Sequence, residues 1–282
     1  MYKRLCCHLL IERKRLRLCQ YDSLRGLISV EIKLMDLFAD IEDPPLPFLF
    51  AQGIDWSCHW DEAQKVYFVT IPNGELVFAR GFFSKKLSDR SLAYFQENDC
   101  LDWKNTDWCS VSAEALAKLT FTHINWQQDQ INMFGKIVPL PRLTAWYGDP
   151  SKAYTYSGIT SHPNQWNEGL RYIKQAVEAL AQESFNSVLL NWYRNGADHM
   201  GWHADDEKEL GKNPTIASVS FGEPRDFILR SKDDPSKKIT IPLEHGTVLI
   251  MRGALQHFWQ HSVPKRTRLE NSRFNLTFRH IF

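Results

Sequence analysis

Apolar positions along the chain follow two periods, and the change between them locates the main architectural break. From about Asn164 to Gln182, Trp166, Leu170, Ile173, Val177 and Leu180 recur at intervals of four, three, four and three, the spacing that draws one apolar stripe along an α-helix. Past this segment come SVLLNWY, TIASVSF, DFILR, KKITIPL, GTVLIMR and RFNLTFRHIF. These are short β-rich runs divided by Gly, Pro, Asn and Asp, the habit of a β-sandwich or barrel. The second half is therefore expected to be β-structure packed against at least one amphipathic helix. Before it, GELVFARGFFS predicts a strand, and Ser84 caps a predicted helix carrying Leu87, Leu92 and Phe95. SAEALAKL, from Ser112, predicts another short helix, and ENDCLDWKNTDWCS between them a polar loop. Residues 1 to about 70 show no pattern that converts into function, and the basic stretch Arg13 to Arg17 reads as a solvated helix face or loose terminus.

Composition narrows the classes. A chain of 282 residues suits one large domain with an appendage. With 34 Lys and Arg against 33 Asp and Glu, no net field selects a polyanionic partner, so a nucleic-acid surface must be a local patch. The six cysteines, at 6, 7, 19, 58, 100 and 109, form no C-x-x-C pair and follow no secretory leader, which predicts free thiols in a reducing cytoplasm. No uncharged run approaches the roughly 18 apolar residues of a membrane span. A soluble cytoplasmic monomer without membrane contact is expected, nucleoid-associated in a bacterium.

Candidate chemistry starts at WHADDE. In an extended segment His203 and Asp205 share a face. Two such ligands do not fix a transition metal; a third must come from a neighbouring strand, with His245, His257, His261 and His280 as the downstream candidates. Two histidines and one carboxylate on one face of an octahedron leave positions open for a chelating cosubstrate and dioxygen. In RFNLTFR, Arg273 and Arg279 lie six apart and share a strand face with Asn275 and Thr277. Two guanidinium forks with an amide and a hydroxyl suit a small dicarboxylate. His199 in HMGWH has helical zinc-site spacing, but Gly201 disfavours the helix and the glutamate of H-E-x-x-H is missing.

The stretches NWYRNGADHMGWHADDEKEL, IASVSFGEPRDFILR, LEHGTVLIMRGALQHFWQHSVP and RFNLTFR together resemble the AlkB family of Fe(II)- and 2-oxoglutarate-dependent dioxygenases, which repair alkylated bases. The likeness runs from about INMFGKIVPLPRLTAWYGD to the C-terminus, with NDCLDWKNTDWCSVSAEALAKL resembling an insertion before it. It implies an α+β, mainly β fold: a double-stranded β-helix (jelly roll) core with flanking helices, spanning 71–282, behind an N-terminal extension over 1–70. The resemblance selects His261 as the third iron ligand beside His203 and Asp205. It implies that Arg273 pairs the distal carboxylate of 2-oxoglutarate with Tyr193 and Asn275, and that Arg279, Asn191 and Thr277 complete the pocket. It further implies that O2 is consumed and N-methyl groups leave DNA bases such as 1-methyladenine and 3-methylcytosine as formaldehyde; RNA, a protein side chain, or binding without turnover are the alternatives. YTYSG resembles a lid over a flipped base at about 130–160, with Tyr156 as platform flanked by Tyr154 and Thr155. MFGK resembles the hairpin of duplex-preferring members, which makes Phe134 a wedge supported by Met133 and Gly135, with Lys136 and Arg142 near phosphates. Asp206 and Glu207 are read either as meeting a cationic methylated base or as holding neighbouring side chains.

Overall fold

A computed structural model describes the backbone of residues 9–12, 15–22, 26–32, 43–133, 136–150, 154–156 and 159–282, with side chains for 43–130, 137–150 and 162–282. The chain forms two compact units, Met1–Pro45 and Leu46–Phe282. In the first, β1 (Leu9–Glu12), β2 (Arg15–Asp22) and β3 (Gly26–Ile32) make an antiparallel sheet. Arg15 and Arg17 thus lie on a strand, in place of the helix face or loose terminus expected for this stretch.

The second unit starts near Leu46, earlier than the expected boundary at 71, because strands before 71 complete its sheets. They are β4 (Leu49–Phe50), β5 (Ser57–Asp61) and β6 (Val66–Ile71), followed by β7 (Gly74–Ala79). Val66, Tyr67, Val69 and Ile71 are buried, so β6 is core. Next come α1 (Lys85–Gln96), α2 (Ala113–Lys118), β8 (Gln130–Met133), β9 (Lys136–Pro139) and β10 (Leu143–Gly148). The Ser84 and Ser112 side chains cap α1 and α2. Then follow β11 (Tyr154–Tyr156), β12 (Ile159–Ser161), β13 (Asn164–Gln165), α3 (Glu168–Ala181), β14 (Ser187–Tyr193) and β15 (Met200–His203). The last elements are β16 (Ile216–Gly222), β17 (Arg225–Ser231), β18 (Lys238–Leu243), β19 (Thr247–Arg252), α4 (Leu255–Phe258), β20 (Trp259–Val263) and β21 (Arg273–Arg279). Helix α3 starts later than its apolar stripe because Asn164 and Gln165 pair with β10, and Asn167 accepts from the Leu170 N–H at 2.9 Å as the cap.

Two sheets build the jelly roll. The larger runs β13-β10-β14-β21-β16-β19-β7-β6-β5 and the smaller β15-β20-β17-β18-β4. Strand alternation sorts the two faces of the larger sheet. Val188, Leu190 and Trp192 of β14 and Phe274, Leu276 and Phe278 of β21 pack with Leu170, Ile173 and Val177 of α3 and Phe95 of α1. Each such side chain contributes roughly 1.5–3 kcal/mol on full burial. On the other face, Val69, Leu76, Phe78 and Leu249 meet Leu229, Ile239, Ile241 and Trp259 of the smaller sheet. This apolar filling occupies one end of the sandwich. At the other end the facing residues of β14, β21 and β16 turn polar, and a cavity opens.

Candidate active site

The register of the larger sheet assembles the polar wall. Strand β14 pairs with β21 so that Asn191 faces Asn275 and Tyr193 faces Arg273, while β21 pairs with β16 so that Thr277 faces Ser218 and Asn275 faces Ser220. These residues share one face because side chains two apart on a strand point the same way. Asn275 Nδ2 donates to Ser218 Oγ at 2.7 Å and to the Val219 carbonyl at 3.0 Å, and its Oδ1 accepts from Thr277 Oγ1 at 3.1 Å. Asn275 and Thr277 therefore satisfy each other within the wall. Arg273, 1% exposed, donates from Nη2 to Ser220 Oγ at 3.0 Å and lies over the Tyr193 ring at 5.1 Å, but its Nε and Nη1 are buried without a hydrogen-bond partner. Burial pulls its pKa down to about 10 against the support of Tyr193, which leaves it cationic at neutral pH. Gly222, opposite Arg273, holds φ +90° where a Cβ would meet the Ser272 carbonyl at 2.3 Å, so the turn beside this guanidinium requires glycine.

Across the cavity, β15 and β20 pair His203 directly with His261, their ring centroids 4.1 Å apart. Asp205 follows β15, 3.7 Å from His203 Nε2 through its Oδ1. Among the described residues, His203, Asp205 and His261 form the one group of His, Cys, Asp or Glu able to hold an ion, with donor atoms within 4.8 Å of one another. His203 Nδ1 donates to the Gly201 carbonyl at 2.9 Å, which fixes the tautomer and leaves the Nε2 lone pair free. Burial, and then His203, push His261 down to about 3 against the pull of Asp205, so its imidazole is neutral; its Nδ1 has no protein partner. Phe227 stacks on that ring at 5.0 Å. Burial opposes charge on Asp205, but the Arg279 guanidinium outweighs it and holds the carboxyl well below the usual carboxylate range. Arg279 grips Asp205 Oδ2 from Nε at 3.1 Å and Nη2 at 2.6 Å, which directs Oδ1 to the histidines. The polar wall and this triad line one cavity of about 720 Å³. Two imidazoles and a carboxylate suit a divalent iron, and the unpartnered N–H groups of Arg273 suit a carboxylate.

The family model for the 2OG-Fe(II) oxygenase superfamily matches residues 108–279. The chain belongs to this superfamily. Its members use Fe(II), 2-oxoglutarate and O2, which the donor set and the arginine wall of this chain fit. The chain is 42% identical over 191 residues to mouse alpha-ketoglutarate-dependent dioxygenase alkB homolog 3, covering 64% of each chain. With the human alkB homolog 3 it shares 48% over 151 residues, 50% of this chain and 52% of that one. It is 37% identical over 206 residues to mouse DNA oxidative demethylase ALKBH2, covering 64% of this chain and 86% of that protein. The chain thus spans between 52% and 64% of the length of the two alkB homolog 3 relatives. A solved structure, "The structure of OsALKBH1", aligns over 73% of this chain and 96% of that chain at 18% identity and a TM-score of 0.46.

The remaining sequence-predicted residues divide. Asn191, Tyr193 and Glu207 line the cavity, and Glu207 Oε2 is buried there without a partner. Asp206 does not line it; its carboxylate takes Lys232 Nζ at 3.0 Å instead. Arg142, expected near phosphates, is buried in the cavity wall, where its Nε donates to Asn191 Oδ1 at 2.8 Å. Strands β8 and β9 pair as an antiparallel hairpin in which Met133 faces Lys136; Phe134 and Gly135 lie outside the described residues. Tyr154, Thr155 and Tyr156 are placed as strand positions opposite Ser161, Thr160 and Ile159, with their side chains outside the described set. The other histidines have separate partners. Gly222 N–H donates to His245 Nδ1 at 2.8 Å, and His257 Nε2, His280 Nδ1 and His199 Nδ1 meet the carbonyls of Lys212, Ser184 and Ala197. Ser218, Ser220 and Asp129 escape the sequence reading. The two serines are legible in retrospect as polar positions alternating through TIASVSF, whereas Asp129 joins the wall through Thr144 Oγ1, a contact with no local signal.

Proposed function

We propose that this chain is an oxygenase that removes methyl groups from N-alkylated bases of DNA, 1-methyladenine and 3-methylcytosine among them. One observation carries the reading: a two-histidine, one-aspartate cluster faces a buried, incompletely paired guanidinium across a single cavity. The DNA substrate draws support from the relatives named DNA oxidative demethylase. In this reading His203, Asp205 and His261 hold Fe(II), and the Nε and Nη1 of Arg273 receive the distal carboxylate of 2-oxoglutarate. Iron and cosubstrate, when bound, supply an O2-driven oxidation of the methyl carbon that ends in formaldehyde, succinate and carbon dioxide. The protein's residues orient and enclose. Arg279 fixes which Asp205 oxygen faces the metal, Tyr193 and Ser220 hold Arg273, and Leu189, Met200, Phe227 and Val263 give the cavity apolar walls that limit water. Glu207 favours a cationic methylated base through its unpartnered oxygen.

The base must leave its stack to enter such a cavity. The β8–β9 hairpin, with Phe134 as wedge, and the β11 tyrosines, with Tyr156 as platform, are proposed for that step, which makes duplex DNA the preferred substrate. The test is formaldehyde release from matched methylated oligonucleotides, as duplex DNA, single-stranded DNA and RNA, with Fe(II) and 2-oxoglutarate present. Release from duplex DNA above the other two supports the reading. Release from RNA alone, or from none, overturns it.

A further inference from the structure

Asp205 lies between β15 and the 3-10 turn Lys208–Leu210, outside any strand, so no sheet neighbour accepts its backbone N–H. That N–H is buried and an unpaired one would be costly. Its acceptor is the Oε1 of Gln256, at 3.0 Å, from a side chain 51 residues away and 1% exposed. The other end of the same amide donates to Met251 Sδ at 3.6 Å, so both polar atoms of Gln256 are engaged in the interior. Gln256 sits on α4, the short turn that leads directly into β20 and His261. This turn is firmly seated. Leu255 is buried and so close to Gly74 that a Cβ there would lie 2.9 Å from it, while Trp259 Nε1 donates to the Pro72 carbonyl at 2.9 Å.

We infer that Gln256 is a positioning residue for the metal centre, an inference that rests on the iron-binding reading above. It holds the Asp205 backbone from one side while Arg279 holds the carboxylate from the other, and it ties that aspartate to the same turn that sets His261. The carboxylate then has little rotational freedom and presents Oδ1 to the imidazoles before any ion arrives. Groups that orient a metal ligand typically alter affinity by roughly 10- to 100-fold when removed.

Co(II) titration of the metal-free protein, followed by visible ligand-field absorption, tests this without turnover. Gln256→Leu is expected to weaken Co(II) binding by roughly 10- to 100-fold, while 2-oxoglutarate affinity at saturating metal stays near that of the unmodified chain. Val177→Ala, a buried truncation on α3 in the other core cluster, is expected to lower Tm and keep Co(II) affinity. Gln256→Glu keeps an acceptor oxygen and is expected to bind Co(II) at least as tightly as glutamine. Unchanged affinity in Gln256→Leu, an equal loss in Val177→Ala, or a loss in Gln256→Glu overturns the role of Gln256 alone. Gln256→Met, of similar length but without the acceptor oxygen, carries the same expected loss if Gln256→Leu does not fold. Failure of the unmodified chain to bind Co(II) overturns the metal centre itself.

Discussion

Replacing Arg273 by leucine separates function from stability with opposite signs. The guanidinium is buried, with two of its nitrogens unpartnered, and burial pulls its pKa down to about 10. At about 1.4 kcal/mol per pH unit that displacement corresponds to roughly 3 kcal/mol borne by the ligand-free fold. The group stays charged below pH about 10, so the penalty is fully present at neutral pH. Leucine removes it but strands the Ser220 hydroxyl, a loss of about 1 kcal/mol, and leaves some space unfilled. The net is a ligand-free protein more stable by about 1–2 kcal/mol, or about 2–8 °C in Tm for a unit of this size. Against this, two charge-assisted hydrogen bonds to the cosubstrate carboxylate disappear, each of about 1.5–3 kcal/mol, so KM for 2-oxoglutarate should rise at least about 100-fold. Thermal denaturation with and without 2-oxoglutarate, beside succinate release, reads both effects. A variant that melts lower without ligand yet keeps the full 2-oxoglutarate-induced rise in Tm would show that Arg273 is a packing residue, and the argument would fail.

Asp205→Ala should abolish metal binding and turnover together, since two neutral imidazoles leave the cation's charge uncompensated; normal iron content by metal analysis would contradict this. In metal-free protein, His261 takes a proton near 6.5 when unfolded but only near 3 when folded, so stability falls with pH through that window. Between pH 7 and pH 5 the loss should be about 2 kcal/mol by denaturant unfolding, and His261→Gln should flatten it, with Asp205 adding a loss of the same sign at lower pH. Phe134→Ala should reduce formaldehyde release from duplex DNA more than from single strands; equal reductions would make Phe134 a packing residue.

The legible parts of the sequence are those where a local period or a short spacing carries the physics. The stripe from Leu170 to Val177 is the buried face of α3, and the alternation in RFNLTFR puts Arg273, Asn275, Thr277 and Arg279 on the cavity side while Phe274, Leu276 and Phe278 face the helices. His203 and Asp205 are neighbours in sequence, but His261 joins them only through strand pairing, and there the family likeness supplied what periodicity left open among four histidines. Strand β6 was missed as part of the site-bearing unit because VYFVTI carries no chemistry and its partners are chosen by long-range register. Arg142, read from the sequence as a phosphate contact beside a hairpin, pairs with Asn191 through sheet register, a contact with no local signal. Gln256 had no sequence signal, since its acceptor role exists only where the backbone leaves the ladder at Asp205.

The central claim, a metal and a keto-diacid sharing one cavity to demethylate DNA, is tested most directly by product stoichiometry. Duplex oligonucleotides carrying 1-methyladenine, incubated with the protein, Fe(II), 2-oxoglutarate and O2, should yield formaldehyde and succinate in equal amounts, both lost on removing the iron. Succinate without formaldehyde from any methylated nucleic acid would keep the oxygenase and reject the substrate. Neither product, with iron bound, would contradict the account as a whole.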